Sequence, residues 1–120
     1  MKISYNQLDD VNRQFQLIEG VYSIERDKTE KWIWTSTEFG GVISNIDNIT
    51  FSLYSEISNT IIYENDSIVI HPNCLNVIKI KVTNKTNFDI KLANPYIVDN
   101  DSRVLGVRIM RIVIDGDVIF

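Results

Sequence analysis

Trp32 and Trp34 are the only two tryptophans of this 120-residue chain. At spacing i, i+2 their indoles fall on the same side of a strand. Paired aromatic planes of this kind stack on the C–H face of a sugar ring, and Tyr22 and Tyr54 would supply further planes. Asp, Asn and Arg side chains in neighbouring loops would take the hydroxyls. The competing reading is that both indoles are sandwich core, because large aromatic side chains dominate protein interiors.

Other reactive residue types form weaker patterns. Glu19, Glu25, Glu30 and Glu38 lie close in sequence to the tryptophans, but nothing in their spacing sets two carboxylates at the separation glycoside hydrolysis requires. His71 and Cys74 are the single histidine and the single cysteine. They are too few for a zinc site, and the chain carries no cysteine pair for an internal disulfide. A Cys–His nucleophile three residues apart lacks a third group to orient it. Residues 99–103 carry acidic side chains at alternate positions, as calcium loops do. They lack the glycine and the terminal glutamate of an EF-hand loop, so pairing of Asp101 with Arg103 explains them better. The expectation is a non-enzymatic chain without metal or cofactor.

The elements that would position these residues are strands. Isoleucine is heavily used, with valine and threonine beside it, which favours β structure. Residues 49–55 alternate with Ile49, Phe51 and Leu53 inward and Thr50, Ser52 and Tyr54 outward. Residues 75–83 alternate with Ile78, Ile80 and Val82 inward. Further strands are expected over 17–25, with a kink at Gly20 and Ile18, Tyr22 and Ile24 on one face; over 31–36; and over 38–44, interrupted at Gly40-Gly41. A hairpin over 60–71 turns at Glu64-Asn65-Asp66, residues 88–93 form another strand, and 104–115 form a long last strand. About eight or nine short strands with turn signals between them read as a β-sandwich or barrel. Only residues 4–15 have helical spacing, with Leu8, Val11 and Phe15 on one stripe. The expected organisation is an N-terminal arm or short helix over residues 1–16 and one antiparallel, jelly-roll-like β-sandwich over 17–120.

Charge and length exclude some classes. A net charge of −4 without a Lys/Arg cluster argues against nucleic acid. Arg103, Arg108 and Arg111 read instead as a solvated sheet face. No run approaches the ~20 apolar residues of a membrane-spanning helix, and the polar opening of the chain does not read as a signal peptide. A cytoplasmic location is the expectation, for a complete protein or for a domain of a larger one.

Two segments together carry a resemblance. The first is Glu19-Gly20-Val21-Tyr22-Ser23-Ile24-Glu25, followed by Trp32-Ile33-Trp34-Thr35. The second is Asp101-Ser102-Arg103-Val104-Leu105-Gly106-Val107, running into Ile112. This order of G-x-Y-x-x-E, W-x-W and D-x-R-x-L-G-V resembles a β-sandwich accessory domain of bacterial polysaccharide and cell-envelope glycosylation proteins, which often trails glycosyltransferase modules. The match covers both ends of residues 19–115, and the middle is shorter than that family's. The resemblance implies a non-catalytic, carbohydrate-associated module whose partners are a glycan or a glycosyltransferase. It marks Tyr22, Glu25, Trp32, Trp34, Asp101 and Arg103 as motif positions; Tyr54 joins them as a candidate sugar contact from its alternation. A protein-interaction domain, docking on a partner enzyme through its sheet face or N-terminal arm, is the alternative. Exposed tryptophans favour the glycan, and buried ones favour the partner.

Overall fold

The computed structural model describes the backbone of residues 3–5 and all of residues 12–120. Among the described residues it is all-β and antiparallel. Its strands are β1 (Ile3–Tyr5), β2 (Gln14–Arg26), β3 (Lys31–Ser44), β4 (Asn48–Tyr54), β5 (Asn59–Tyr63), β6 (Asp66–Ile70), β7 (Leu75–Lys81), β8 (Asn87–Leu92), β9 (Arg108–Ile114) and β10 (Asp117–Val118). The expected helix centres on residues 6–11, outside the described ones. Its flanks are strand: β1 pairs with β2, which begins at Gln14, before the expected start of the sandwich.

The long β3 organises the two layers. Its first half pairs with β9 and its second half with β8, while β2 runs beside it throughout. One layer is therefore β3-β9-β4-β7 and the other β3-β8-β5-β6. The two share β3 as a corner and wrap into a nearly closed, barrel-like sandwich. Strands that switch layers need bulges, and β2 shifts register three times between Leu17 and Ile24. Gly20 lies inside this stretch at φ 69°, and a Cβ there would come within 1.8 Å of the Glu38 carbonyl oxygen. The expected kink is present. Leu17 and Val21 enter the core while Ile18 and Ile24 are exposed, and the bulges break the alternation of β2 at Glu19 and Ser23, which are exposed as well.

The core fills from both layers as the alternation of β4, β7 and β8 dictates. Ile49, Phe51 and Leu53 face Ile61, Phe88 and Ile90. Phe51 packs edge-on to Phe39 at 5.9 Å and tilted to Phe88 at 6.2 Å, tying the layers together. Tight turns use left-handed backbone at Asn45, Asn73, Asn84 and Asn100, positions that asparagine tolerates better than most residues.

Two expectations are corrected. Gly40-Gly41 is not a break: β3 passes through it. A Cβ at Gly40 would meet Phe88 O at 2.2 Å, and one at Gly41 would meet Gln16 O at 1.8 Å. These glycines serve close strand approach on both sides. The last long strand is also shorter than its apolar run, since β9 starts at Arg108. The segment before it is fastened to Thr35: Gly106 N donates to Thr35 O (2.7 Å), Thr35 N to Val107 O (2.9 Å), and Val107 N to Thr35 Oγ1 (3.1 Å). No helix of the described residues is long and apolar enough to cross a membrane.

Candidate functional site

Ile33 and Thr35 point into the sandwich and are fully buried, so Trp32 and Trp34 stand on the outer face of β3. The cross-strand register sets Arg108 of β9 opposite Trp34 on one side and opposite Tyr54 of β4 on the other. Residues in this relation share a face. The Arg108 guanidinium carbon lies 4.8 Å from the Trp34 ring centroid, 5.1 Å from that of Trp32 and 5.8 Å from that of Tyr54. A weakly hydrated, planar cation is suited to such aromatic faces. Tyr96, from the loop after β8, stacks on Trp34 at 6.0 Å. Its hydroxyl donates to the Glu56 carboxylate, and this hydrogen bond raises the Tyr96 pKa. Glu56 also pairs with Arg108 at 3.5 Å. Trp34 is left only 6% exposed, covered by the protein's own side chains, while Trp32 and Tyr54 keep part of their surface in solvent. Two buried donors of this cluster, Trp32 Nε1 and Arg108 Nε, have no hydrogen-bond partner among the described residues.

A second cluster is built around Arg103. Its Nε and Nη2 fork onto Asp101 at 3.0 and 2.7 Å, and its Nη1 reaches Glu25 Oε2 at 3.1 Å. The guanidinium also lies over the Tyr22 ring at 5.3 Å, and Tyr22 Oη donates to Val104 O at 3.0 Å. The side-chain hydrogen bond from Arg103, with a second from its backbone N–H, lowers the Asp101 pKa to about 2. The same carboxylates raise that of Arg103.

The two clusters adjoin, because Glu25 sits opposite Trp32 in the β2–β3 ladder. The structure therefore brings Tyr22, Glu25, Trp32, Trp34, Tyr54, Asp101 and Arg103 onto one outer surface. Sequence reasoning missed Arg108, Tyr96 and Glu56. Reading Arg103 and Arg108 as a solvated sheet face is corrected: each is about one-third exposed or less and packs on aromatic rings. The available signal was an arginine entering an apolar strand directly after Leu105-Gly106-Val107, where it needs aromatic or acidic partners.

The remaining candidates stay apart. Glu25 is committed to Arg103, while Glu38 lies on the other layer opposite Lys91. Cys74 Sγ faces the His71 backbone carbonyl at 3.6 Å, not its imidazole. Asp99 is exposed. Among the described residues no three His, Cys, Asp or Glu side chains gather as a metal site would require. Comparisons with protein-family models, curated proteins and solved structures find no match to this chain.

Proposed function

We propose that this protein is a non-catalytic carbohydrate-binding module that works in the cytoplasm beside a glycosyltransferase. One observation carries the reading. The half-buried rings of Tyr22, Trp32 and Tyr54 share a surface with two charged hydrogen-bonding groups, Arg103–Glu25 and Arg108–Glu56. Apolar planes flanked by fixed polar groups are what sugar recognition needs. The resemblance of the G-x-Y-x-x-E, W-x-W and D-x-R-x-L-G-V segments adds support, since those segments supply most of this surface. Trp34 acts as a support beneath Arg108 and Tyr96, and stacking falls to the more exposed rings. Affinity for one shallow site would be weak, on the order of μM to mM, and tethering to an enzyme would raise the effective concentration.

A second reading has its own observation. The burial of Trp34 and the exposed Leu75 and Val77 on β7 favour a protein-interaction domain that docks on a partner enzyme.

Tryptophan emission during titration with bacterial surface glycans, with iodide as quencher, separates the two. The carbohydrate reading expects a quenchable fraction from Trp32 that one glycan class protects. Emission unchanged by every glycan, with the quenchable fraction protected only by a glycosyltransferase, would replace it with the docking reading.

A further inference from the structure

The outer face of β9-β4-β7 continues the aromatic surface across three rows of cross-strand neighbours. The first row is Arg108–Tyr54–Leu75, the second Arg111–Ser52–Val77 and the third Val113–Thr50–Lys79. Successive rows lie about 7 Å apart, two residues along β4 and β7; on β9 a bulge opposite Ser52 and Leu53 sets Arg108 and Arg111 three residues apart. Every ionisable side chain in these rows other than Tyr54 is a cation, and none is an acid. Arg108 is held by Glu56, but Arg111 and Lys79 are exposed and form no ion pair among the described residues. Lys81 extends the line opposite Asn48. Leu75 and Val77 precede Lys79 along β7 at 58% and 63% exposure. Glu56, paired with Arg108, bounds the near end, and Asp47 and Asp115 bound the far end, lining a depression of about 510 Å³ beside Thr50 and Lys79. Asp115 is already engaged by the backbone N–H groups of Asp47 and Asn48 and by Arg13.

A protein of net charge −4 that places unpaired Arg111 and Lys79, and no acid, in the outward rows of β9, β4 and β7 has a surface complementary to an anion between its bounding acids. The face spans three strands. It joins the proposed sugar-stacking rings at Tyr54. Resting on the carbohydrate reading, we infer that the glycan it binds is an anionic polysaccharide lying across β9, β4 and β7. Its acidic groups meet Arg111 and Lys79, and its C–H faces meet Tyr54, Leu75 and Val77.

The test is a titration of the whole chain with four polymers: polygalacturonate, its methyl-esterified form, neutral dextran and polyglutamate. Polygalacturonate should bind, and added salt should weaken it because exposed charges are screened. The Lys79→Ala/Arg111→Ala double variant should lose about tenfold or more in affinity, equivalent to about 1.4 kcal/mol. Lys91→Ala, on the other layer, should bind as the parent does. Thermal unfolding checks the variants, and the single Lys79→Glu reversal serves if the double variant is unstable. Esterified polymer or dextran binding as tightly as polygalacturonate would overturn the anionic inference and leave the carbohydrate reading intact. Polyglutamate binding equally well would make the face a general anion surface and overturn the inference. Failure of all three saccharides would overturn both.

Discussion

Arg103 Nη1 lies 3.1 Å from Glu25 Oε2, joining positions 78 residues apart in the chain. This ion pair fastens the loop before β9 to the edge of β2. The other edge of the guanidinium is forked onto Asp101. A planar bidentate group cannot be replaced by a point charge. Arg103→Lys should therefore cost nearly as much as Arg103→Ala, about 1–2 kcal/mol after allowing for partial exposure. Urea unfolding of both variants checks this. A lysine variant as stable as the parent would show that charge alone suffices.

The same fork sets an acid dependence. Asp101 has its pKa lowered from 3.8 to about 2, chiefly by the Arg103 side chain. A carboxyl lowered by folding contributes stability that is complete above its ordinary value and is lost as the pH falls through the folded value. The loss should fall between about pH 4 and pH 2. Asp101→Asn should be less stable than the parent at neutral pH, and the gap should close across that window. A gap that persists at pH 2 would mean that the aspartate acts through packing instead.

Arg108 covers Trp34 at 4.8 Å and Trp32 at 5.1 Å. Arg108→Ala should uncover both rings, raise iodide quenching and red-shift the emission. A cation over two indoles, partly desolvated, contributes about 1–2 kcal/mol. Arg108→Met keeps the apolar stem and removes the charge, so it should retain most of the shielding and lose the electrostatic part. Emission spectra and urea curves of the two variants separate stem from charge.

Legibility in the sequence followed the length scale of each interaction. The alternation of 49–53 and 78–82 is a local property, and it placed the core faces of β4 and β7 correctly. That Trp32 and Trp34 share one side of β3 was equally local, but their spacing did not say whether that side faced the core. Whether those rings were covered was not, because the cover comes from Arg108 on neighbouring β9 and from Tyr96 after β8, both distant in sequence. Gly40-Gly41 misled because a glycine needed for close strand approach looks, in sequence, like a glycine needed for a turn. Asn45, Asn73, Asn84 and Asn100 each occupy a left-handed turn position, which asparagine tolerates but its abundance alone does not locate. The Asp101–Arg103 pair was readable because its members are two residues apart. Its third member, Glu25, follows only once the loop is folded against β2.

Gly106 is the position where the W-x-W-T and L-G-V segments meet. A Cβ there would come 2.3 Å from Ser36 O, 2.4 Å from Leu92 Cδ1 and 2.6 Å from Thr35 Oγ1. The backbone oxygen cannot move without breaking the Thr35 ladder. Gly106→Ala should cost about 2–3 kcal/mol, the upper part of the range for overpacking. Thr35→Ala in the same background should relieve only part of this, because the Ser36 contact remains. Thermal unfolding of the single and double variants measures the coupling.

On the opposite layer the sign of the pH effect reverses. Glu38 pairs across the ladder with Lys91, and Asp89 sits opposite Gly40, diagonal to it. The Glu38 pKa is raised above 4.5, chiefly by a hydrogen bond with Asp89 and then by repulsion from it. A carboxyl raised by folding stabilises the protein below its ordinary value, and that contribution is lost as the pH rises through the folded value. Above its raised value the Glu38 carboxylate is thus held ionised against repulsion from Asp89. Glu38→Gln supplies a donor for Asp89 and removes one charge, so it should raise Tm at pH 7, and the gain should shrink as the pH falls toward 4.5. Asp89→Asn should raise Tm in the same direction. The double variant should gain less than the sum, since the repulsion can be removed only once. A lower Tm for Glu38→Gln at pH 7 would mean that the attraction to Lys91 outweighs the repulsion from Asp89.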